Sequence, residues 1–237
     1  YFNDDAGVDD LLTSARNAPQ EFLTYVLPAM LRAAETFHYE PKPGKLIIDH
    51  LWPIRVHGDY IGLLEAFPSA CEVAFEELGR DQPDKLRPFL EQLRIQPLCT
   101  ANHLLINAYL SSPMTFAEEG LKLLTAEPMR LRCGFPDSSY WLSCQFIRTA
   151  SAHCSEETFR QLETVLLAFV PSWERSKNGF RDRGHAAYNF VSALASDRLS
   201  RTAKAQLAEW QEKFKEPDDP PVGIRSFTVE SPIEQDA

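Results

Sequence analysis

The strongest constraint on this 237-residue chain is an apolar pattern of helical period that proline and helix-capping residues interrupt repeatedly. Phe22, Tyr25, Val26 and Met30 recur at helical spacing behind a start signal at 17–20, where Asn, Pro and Gln follow one another closely. The pattern predicts about eight or nine amphipathic helices. The later ones are expected over 59–79, 81–95, 97–109, 112–124, 139–153, 155–169, 184–196 and 200–214.

Prolines and glycines indicate where these helices bend or stop. Pro28 lies inside an apolar pattern, and proline removes one backbone hydrogen bond, so we expect a kink or a break near Leu27. Pro68 predicts a second kink for the same reason. Gly79 follows an apolar run and is interpreted as the end of its helix.

Polar residues at the predicted helix starts complete this interpretation. Asp59, Ser155 and Ser200 each precede a helical pattern and are expected to cap it through a side-chain oxygen. Thr115 and Glu118 have the three-residue spacing of a capping box, which predicts that they satisfy N–H groups of their own helix.

No strand-like alternation occurs before residue 222, and most connections are short, which forces neighbouring helices to be antiparallel. We therefore predict an all-α fold, in the form of an irregular α-solenoid of antiparallel helical hairpins of the HEAT or armadillo type. A closed all-α globule is the alternative. The expected regions are N-terminal helices with a long proline-containing connection over 1–58, a helical-repeat array over 59–216, and an extended acidic tail or linker over 217–237.

Charge and cysteine content exclude several classes of protein. The chain has 24 Lys and Arg against 34 Asp and Glu, a net charge of −10, which argues against a surface that binds nucleic acid along its whole length. No apolar run approaches the roughly 20 residues of a membrane-spanning helix. The five cysteines have no metal-binding spacing and mostly lie in apolar helical patterns, so we expect buried thiols, no cofactor and a cytoplasmic location.

Motifs of known catalytic chemistry are missing from the sequence. It has no G-x-S-x-G elbow, no H-E-x-x-H and no glycine-rich phosphate loop. We therefore predict that the chain itself is not an enzyme. A helical hydrolase built around His103, His153 or His185 stays an alternative, which would require one of these histidines to meet an acid or a cysteine in a deep pocket.

Two loops and one tryptophan are the candidates for partner binding, because arginine and aromatic residues dominate interface hot spots. The loops cover 128–141 and 173–185, and the second could instead bind nucleic acid through its basic residues. The competing interpretation is that the aromatics anchor the loops and the arginines pair with acids. The candidates are Trp52, Arg130, Arg132, Tyr140, Trp141, Trp173, Arg175, Lys177, Arg181 and Arg183.

Five segments, 81–112, 127–141, 153–159, 170–175 and 223–233, resemble the helical-repeat region of large bacterial STAND-type, NACHT-like NTPases. The resemblance implies a helical sensor array within a larger protein that carries an effector and a P-loop NTPase, often in anti-phage defence. This chain has no P-loop, so no catalytic residue carries over. Because it begins with Tyr1 rather than Met, we expect a piece of a longer chain. The expected partner is another protein or the remainder of that chain.

Overall fold

The computed structural model describes residues 4–36, 39–40, 42, 44–49, 51, 63–135, 138–175 and 183–214, with the backbone alone for 4–6 and 63–65. Within these ranges the fold is all-helical, which confirms the predicted class. Short 3₁₀ helices occupy Pro83–Leu86 and Pro128–Leu131. The α-helices are α1 (Asp4–Asn17), α2 (Pro19–Thr36), α3 (Leu63–Asp81), α4 (Arg87–Arg94), α5 (Cys99–Ser111), α6 (Pro113–Ala126), α7 (Trp141–Ala150), α8 (Glu156–Leu167), α9 (His185–Ala193) and α10 (Arg201–Phe214).

Local cap signals place several helix starts where the sequence predicts them. The Ser155 hydroxyl accepts the Thr158 N–H at 3.2 Å and caps α8. The Ser200 hydroxyl accepts the Ala203 N–H at 3.1 Å and caps α10. The predicted cap at Asp59 and the expected acidic tail over 217–237 lie outside the described residues.

Three helices differ from the prediction: α2 and α3 at their prolines, and α1 because it was not predicted. α2 and α3 run without interruption through Pro28 and Pro68, so the break considered near Leu27 does not occur. α1, which the periodicity argument did not specify, forms over an acidic segment and buries Leu12 and Ala15. Tertiary packing against α3 stabilises this helix where its own apolar pattern is short.

The prediction that Gly79 ends its helix is wrong, because α3 continues to Asp81. Gly79 does not have the positive φ of a left-handed helix end, which only Gly44 and Gly184 have among the described glycines. A β-carbon at Gly79 would collide with the side chain of Ser111 at the end of α5. The glycine is therefore required by the close approach of two parallel helices.

The capping box predicted for Thr115 and Glu118 is also absent from the structure. The Thr115 hydroxyl accepts a hydrogen bond from Ser112 instead, at 2.8 Å. Glu118 turns away from its own helix and accepts the Ser155 N–H at 2.8 Å and the Thr158 hydroxyl at 2.7 Å. It therefore caps α8, about 40 residues further along the chain.

The odd-numbered helices form one row. They contact one another in order, α1 with α3, α3 with α5, α5 with α7 and α7 with α9. Among the even-numbered helices, α6 and α8 are in contact, and neighbours in sequence such as α5 and α6 also pack together. One continuous cluster of buried apolar side chains runs through this arrangement from Leu12 to Ala203.

This arrangement gives the molecule two chemically different ends. The odd-numbered helices start, and the even-numbered helices finish, at one end, which we call the loop face. It consists of the described residues of the connections 37–62, 95–98, 127–140 and 168–184. The opposite end carries most of the ion pairs between described residues, including Arg87 with Glu119 and Arg198 with Glu156.

Substitution Gly79→Ala tests the close approach of α3 and α5. Alanine is favoured over glycine in a helix by about 1 kcal/mol, but forced overpacking costs about 1–3 kcal/mol, and here the colliding atoms include the Ser111 β-carbon. We expect a net destabilisation in urea unfolding, and its relief in the double variant Gly79→Ala/Ser111→Gly. A Gly79→Ala protein more stable than wild type would contradict the packing role.

The Glu118 contact predicts a pH dependence. Its bonds with the Ser155 N–H, Lys122 and Thr158 lower the carboxyl pKa from 4.5 to about 2. A lowered folded-state pKa adds stability above pH 4.5, and this stability disappears as the pH falls through about 2. With 41% of the side chain exposed, solvent screening reduces the effect to about 1 kcal/mol. Glu118→Gln should therefore destabilise the protein at pH 7 and match wild type near pH 2 in denaturant titrations.

Candidate functional site

The first component of the loop face is the described part of the long connection that follows α2, which lies against the start of α5. The Ile47 N–H donates to the Pro97 carbonyl and the Cys99 N–H donates to the Ile47 carbonyl, both at 2.8 Å, as in a parallel strand pair. Asp49 is fully buried beside them and accepts the Thr100 N–H at 2.9 Å and the Thr100 hydroxyl at 2.6 Å. Because α5 has no side-chain cap of its own, Asp49 supplies one and fixes the connection in place.

The second component is a buried arginine at the loop that follows α6. Arg130 donates to the Glu127 carboxylate at 2.7 Å and to the Arg94 carbonyl at the end of α4 at 2.8 Å. Its backbone carbonyl accepts from the Asn102 side-chain amide at 3.1 Å. Arg130 therefore joins the end of α4, the start of α5 and the α6–α7 connection.

The third component is an aromatic cluster that connects the two loops predicted to bind a partner. Tyr140, Phe169 and Phe190 pack edge to face, with ring centroids 5.3–6.1 Å apart. The Trp173 indole N–H donates to the Tyr140 hydroxyl at 3.2 Å. One end of the loop 128–141 therefore contacts the start of the loop 173–185, although the two are separate in sequence.

The fourth component is Glu174, which is fully buried at the start of the 173–185 loop. Its two carboxylate oxygens accept the N–H groups of Gly184 and Ala186, each at 2.8 Å. The carboxylate satisfies the first turn of α9, whose N-cap residue, Gly184, has no side chain and a φ of 89°. Both ends of this loop are thereby fixed to the helix array.

The candidate residues divide into three groups. Arg130 and Tyr140 are buried and anchor the loops, as the competing interpretation of the sequence held, and Trp141 is half-buried against the core. Trp173, Arg132, Arg175 and Arg183 are exposed on the loop face. Arg175 donates two hydrogen bonds to the Val170 carbonyl, at 2.8 and 3.1 Å. The other candidates, Trp52, Lys177 and Arg181, lie outside the described residues.

Apart from Trp173, the exposed apolar residues of the loop face were not predicted from the sequence. Of the eight large apolar side chains exposed among the described residues, six belong to its four connections. Tyr25 on α2 and Met114 at the start of α6 lie elsewhere. From sequence alone, an apolar residue in a connection is interpreted as a buried anchor. The structure is therefore needed to show that these residues are exposed and lie on one face. The six are Tyr39, Ile48, Ile95, Met129, Val170 and Trp173.

The loop face is basic at its surface although the chain is acidic. Among its described residues one exposed acid, Glu40, stands against five exposed cations. Asp49 and Glu174 lie in the same connections, but they are buried and hold backbone N–H groups. Glu127 is half-buried and accepts a hydrogen bond from the buried Arg130. The exposed surface therefore combines apolar side chains with positive charge. The cations are Lys42, Lys45, Arg132, Arg175 and Arg183.

The hydrolase alternative rests on His103, which the structure places against an acid. His103 Nε2 lies 2.6 Å from a Glu72 carboxylate oxygen, with Phe135 packed edge to face on the ring. The imidazole is fully buried, so a substrate reaches it only if α3 and α5 separate. Burial also raises the pKa of the neighbouring Cys71 thiol, which keeps it protonated and unreactive.

Reactive thiols, metal sites and membrane spans are three further classes of feature. All five cysteines are buried free thiols, as expected. The described residues contain no group of three or more His, Cys, Asp or Glu side chains able to hold a metal ion. The described helices include none long and apolar enough to cross a membrane.

Comparison with protein-family models, with curated proteins and with solved structures finds no match.

Glu174→Ala tests how the loop face is held together. The substitution leaves two N–H groups at the start of α9 without their acceptor, at about 1–3 kcal/mol each. We expect the Glu174→Ala protein to unfold at a clearly lower urea concentration than wild type. The control is Glu212→Ala, which removes an exposed acid on α10 and should change the free energy of unfolding by less than about 0.5 kcal/mol. Equal stability of the two variants would show that the carboxylate does not hold this loop.

Proposed function

We propose that this chain is a non-catalytic helical scaffold that recognises a protein partner through its loop face. The observation that carries the proposal is Trp173, which has 42% of its side chain exposed while its indole N–H is bonded to the Tyr140 hydroxyl. A tryptophan fixed in an exposed position loses little conformational entropy on binding. Such residues are the usual anchors of protein interfaces.

The neighbours of Trp173 support the same function. Arg175 is held by the Val170 carbonyl, and Val170 itself is exposed beside it. An interface typically surrounds its aromatic and arginine anchors with apolar and polar contacts that exclude water. The other exposed apolar residues of the loop face supply that surrounding surface.

We further propose that the helices form an open, irregular solenoid. The support is the order of contacts, in which each odd-numbered helix touches the next odd-numbered one from α1 to α9. In a solenoid each repeat contacts its neighbours and the connections follow one another along one edge. Such an edge offers an extended surface of the kind that the loop face presents.

The wider setting we propose is a sensor segment of a larger STAND-type NTPase, acting through protein recognition or intramolecular regulation, with anti-phage defence as its context. This part of the proposal rests on the sequence segments that resemble that family and on the helical architecture. It places the NTPase chemistry in another part of the parent protein. A P-loop in the same open reading frame would support it, and a complete reading frame without one would refute it.

The recognition function is tested by comparing variants of the full-length protein in a capture experiment. Trp173→Ala should weaken retention of the partner by about 30-fold or more, because hot-spot truncations cost at least about 2 kcal/mol. Trp173→Phe, which keeps an aromatic ring but loses the bond to Tyr140, should have an intermediate effect. Tyr25→Ala is the matched control, since Tyr25 is a more exposed aromatic residue away from the loop face.

Two results would contradict the proposal. Proteins retained equally by wild type and Trp173→Ala would show that the loop face is not the binding surface. Retention of nucleic acid that falls steeply with salt would favour the alternative in which the basic residues of the 173–185 loop contact phosphates.

A further inference from the structure

The loop face combines exposed apolar side chains with exposed cations, so its natural occupant is a segment that is both acidic and apolar. Nonspecific anions lack the apolar component, and an uncharged amphipathic helix lacks the charge. An extended peptide is suited to this surface because its side chains can alternate between apolar contacts and ion pairs.

The chain itself contains such a segment immediately after α10. Residues 215–237 contain six acids against two basic residues. Its acids lie at 216–219 and 230–236, on either side of a stretch that contains most of its apolar side chains. The apolar side chains are Val222, Ile224, Phe227, Val229 and Ile233.

The last described helix, α10, ends at the loop face. α10 is an even-numbered helix, and its last residue, Phe214, packs against His185 and Tyr188 in the first turn of α9, with ring centroids 5.1 and 5.7 Å away. Lys213 donates to the Arg183 carbonyl at 2.7 Å. The described chain therefore ends beside Arg183, at one edge of the basic surface.

The segment is also long enough to follow the loop face. Its 23 residues span at most about 75 Å when extended, at about 3.3 Å per residue. Five helices in a row, at about 10 Å between axes, extend over about 40 Å. The length therefore allows contact with every connection of the loop face, including the one that carries Lys42 and Lys45.

We propose that the acidic segment 215–237 of the same chain docks on the loop face and competes there with the external partner. This inference rests on the proposed recognition function and adds an internal regulator to it. A tether of this kind supplies an effective concentration of about 1 mM, so even a weak intrinsic Kd of about 0.1 mM gives about ten docked molecules for each undocked one.

Amide hydrogen exchange of the full chain, followed by mass spectrometry, tests the docking directly. Residues 219–233 should exchange about tenfold more slowly than in a synthetic peptide of the same sequence. Raising the ionic strength from about 0.1 to about 1 M, which shortens the Debye length from about 10 to about 3 Å, should remove most of this protection.

Charge reversal supplies the matched variants. The double variant Lys45→Glu/Arg132→Glu should reduce the protection to about twofold or less. The control Lys204→Glu reverses an exposed lysine near the start of α10, at the opposite end, and should leave the protection unchanged. Exchange equal to that of the free peptide would overturn the proposal. Protection that depends on protein concentration would also overturn it, since it would assign the segment to a second copy.

The exchange result is independent of the capture experiment. An unprotected segment together with loss of the partner in Trp173→Ala would refute the internal regulator and leave the recognition function standing. A protected segment together with unchanged capture would refute the recognition function instead.

Discussion

The structure depends on carboxylates that satisfy the first turns of helices to which they do not belong. Asp49 caps α5 and Glu174 caps α9 at the loop face, while Glu118 caps α8 at the opposite end. A helix start leaves backbone N–H groups without partners, and an acid that accepts them also interacts favourably with the helix dipole. Each such bond fixes a connection to a helix that is distant in sequence, so the loops become part of the rigid framework.

The two ends of the helices use their polar groups differently. At the opposite end, ion pairs such as Arg198 with Glu156 lie at the surface and leave few apolar side chains exposed. At the loop face, the acids Asp49 and Glu174 are buried as acceptors of backbone N–H groups, so cations and apolar side chains make up most of the exposed surface. A stable array thus presents one surface suited to recognition, and the internal capping creates it.

Local signals in the sequence were sufficient for the fold class and for several helix starts. Ser155 and Ser200 cap the helices that follow them because a cap and its N–H are three residues apart. Gly79 and Glu118 were misinterpreted because their partners, Ser111 and Ser155, lie more than 30 residues away. The same reason hid the meeting of Tyr140 with Trp173, on which the candidate site depends.

Hydroxyl-radical footprinting of the full-length protein, alone and in complex with its captured partner, tests the central claim most directly. Met129 on the loop face and Met114 at the opposite end are both exposed, by 37% and 69%, and report the two ends in one sample. We expect Met129 and Trp173 to lose reactivity in the complex while Met114 keeps it. Protection of Met114 with Met129 and Trp173 unchanged would contradict the assignment of recognition to the loop face.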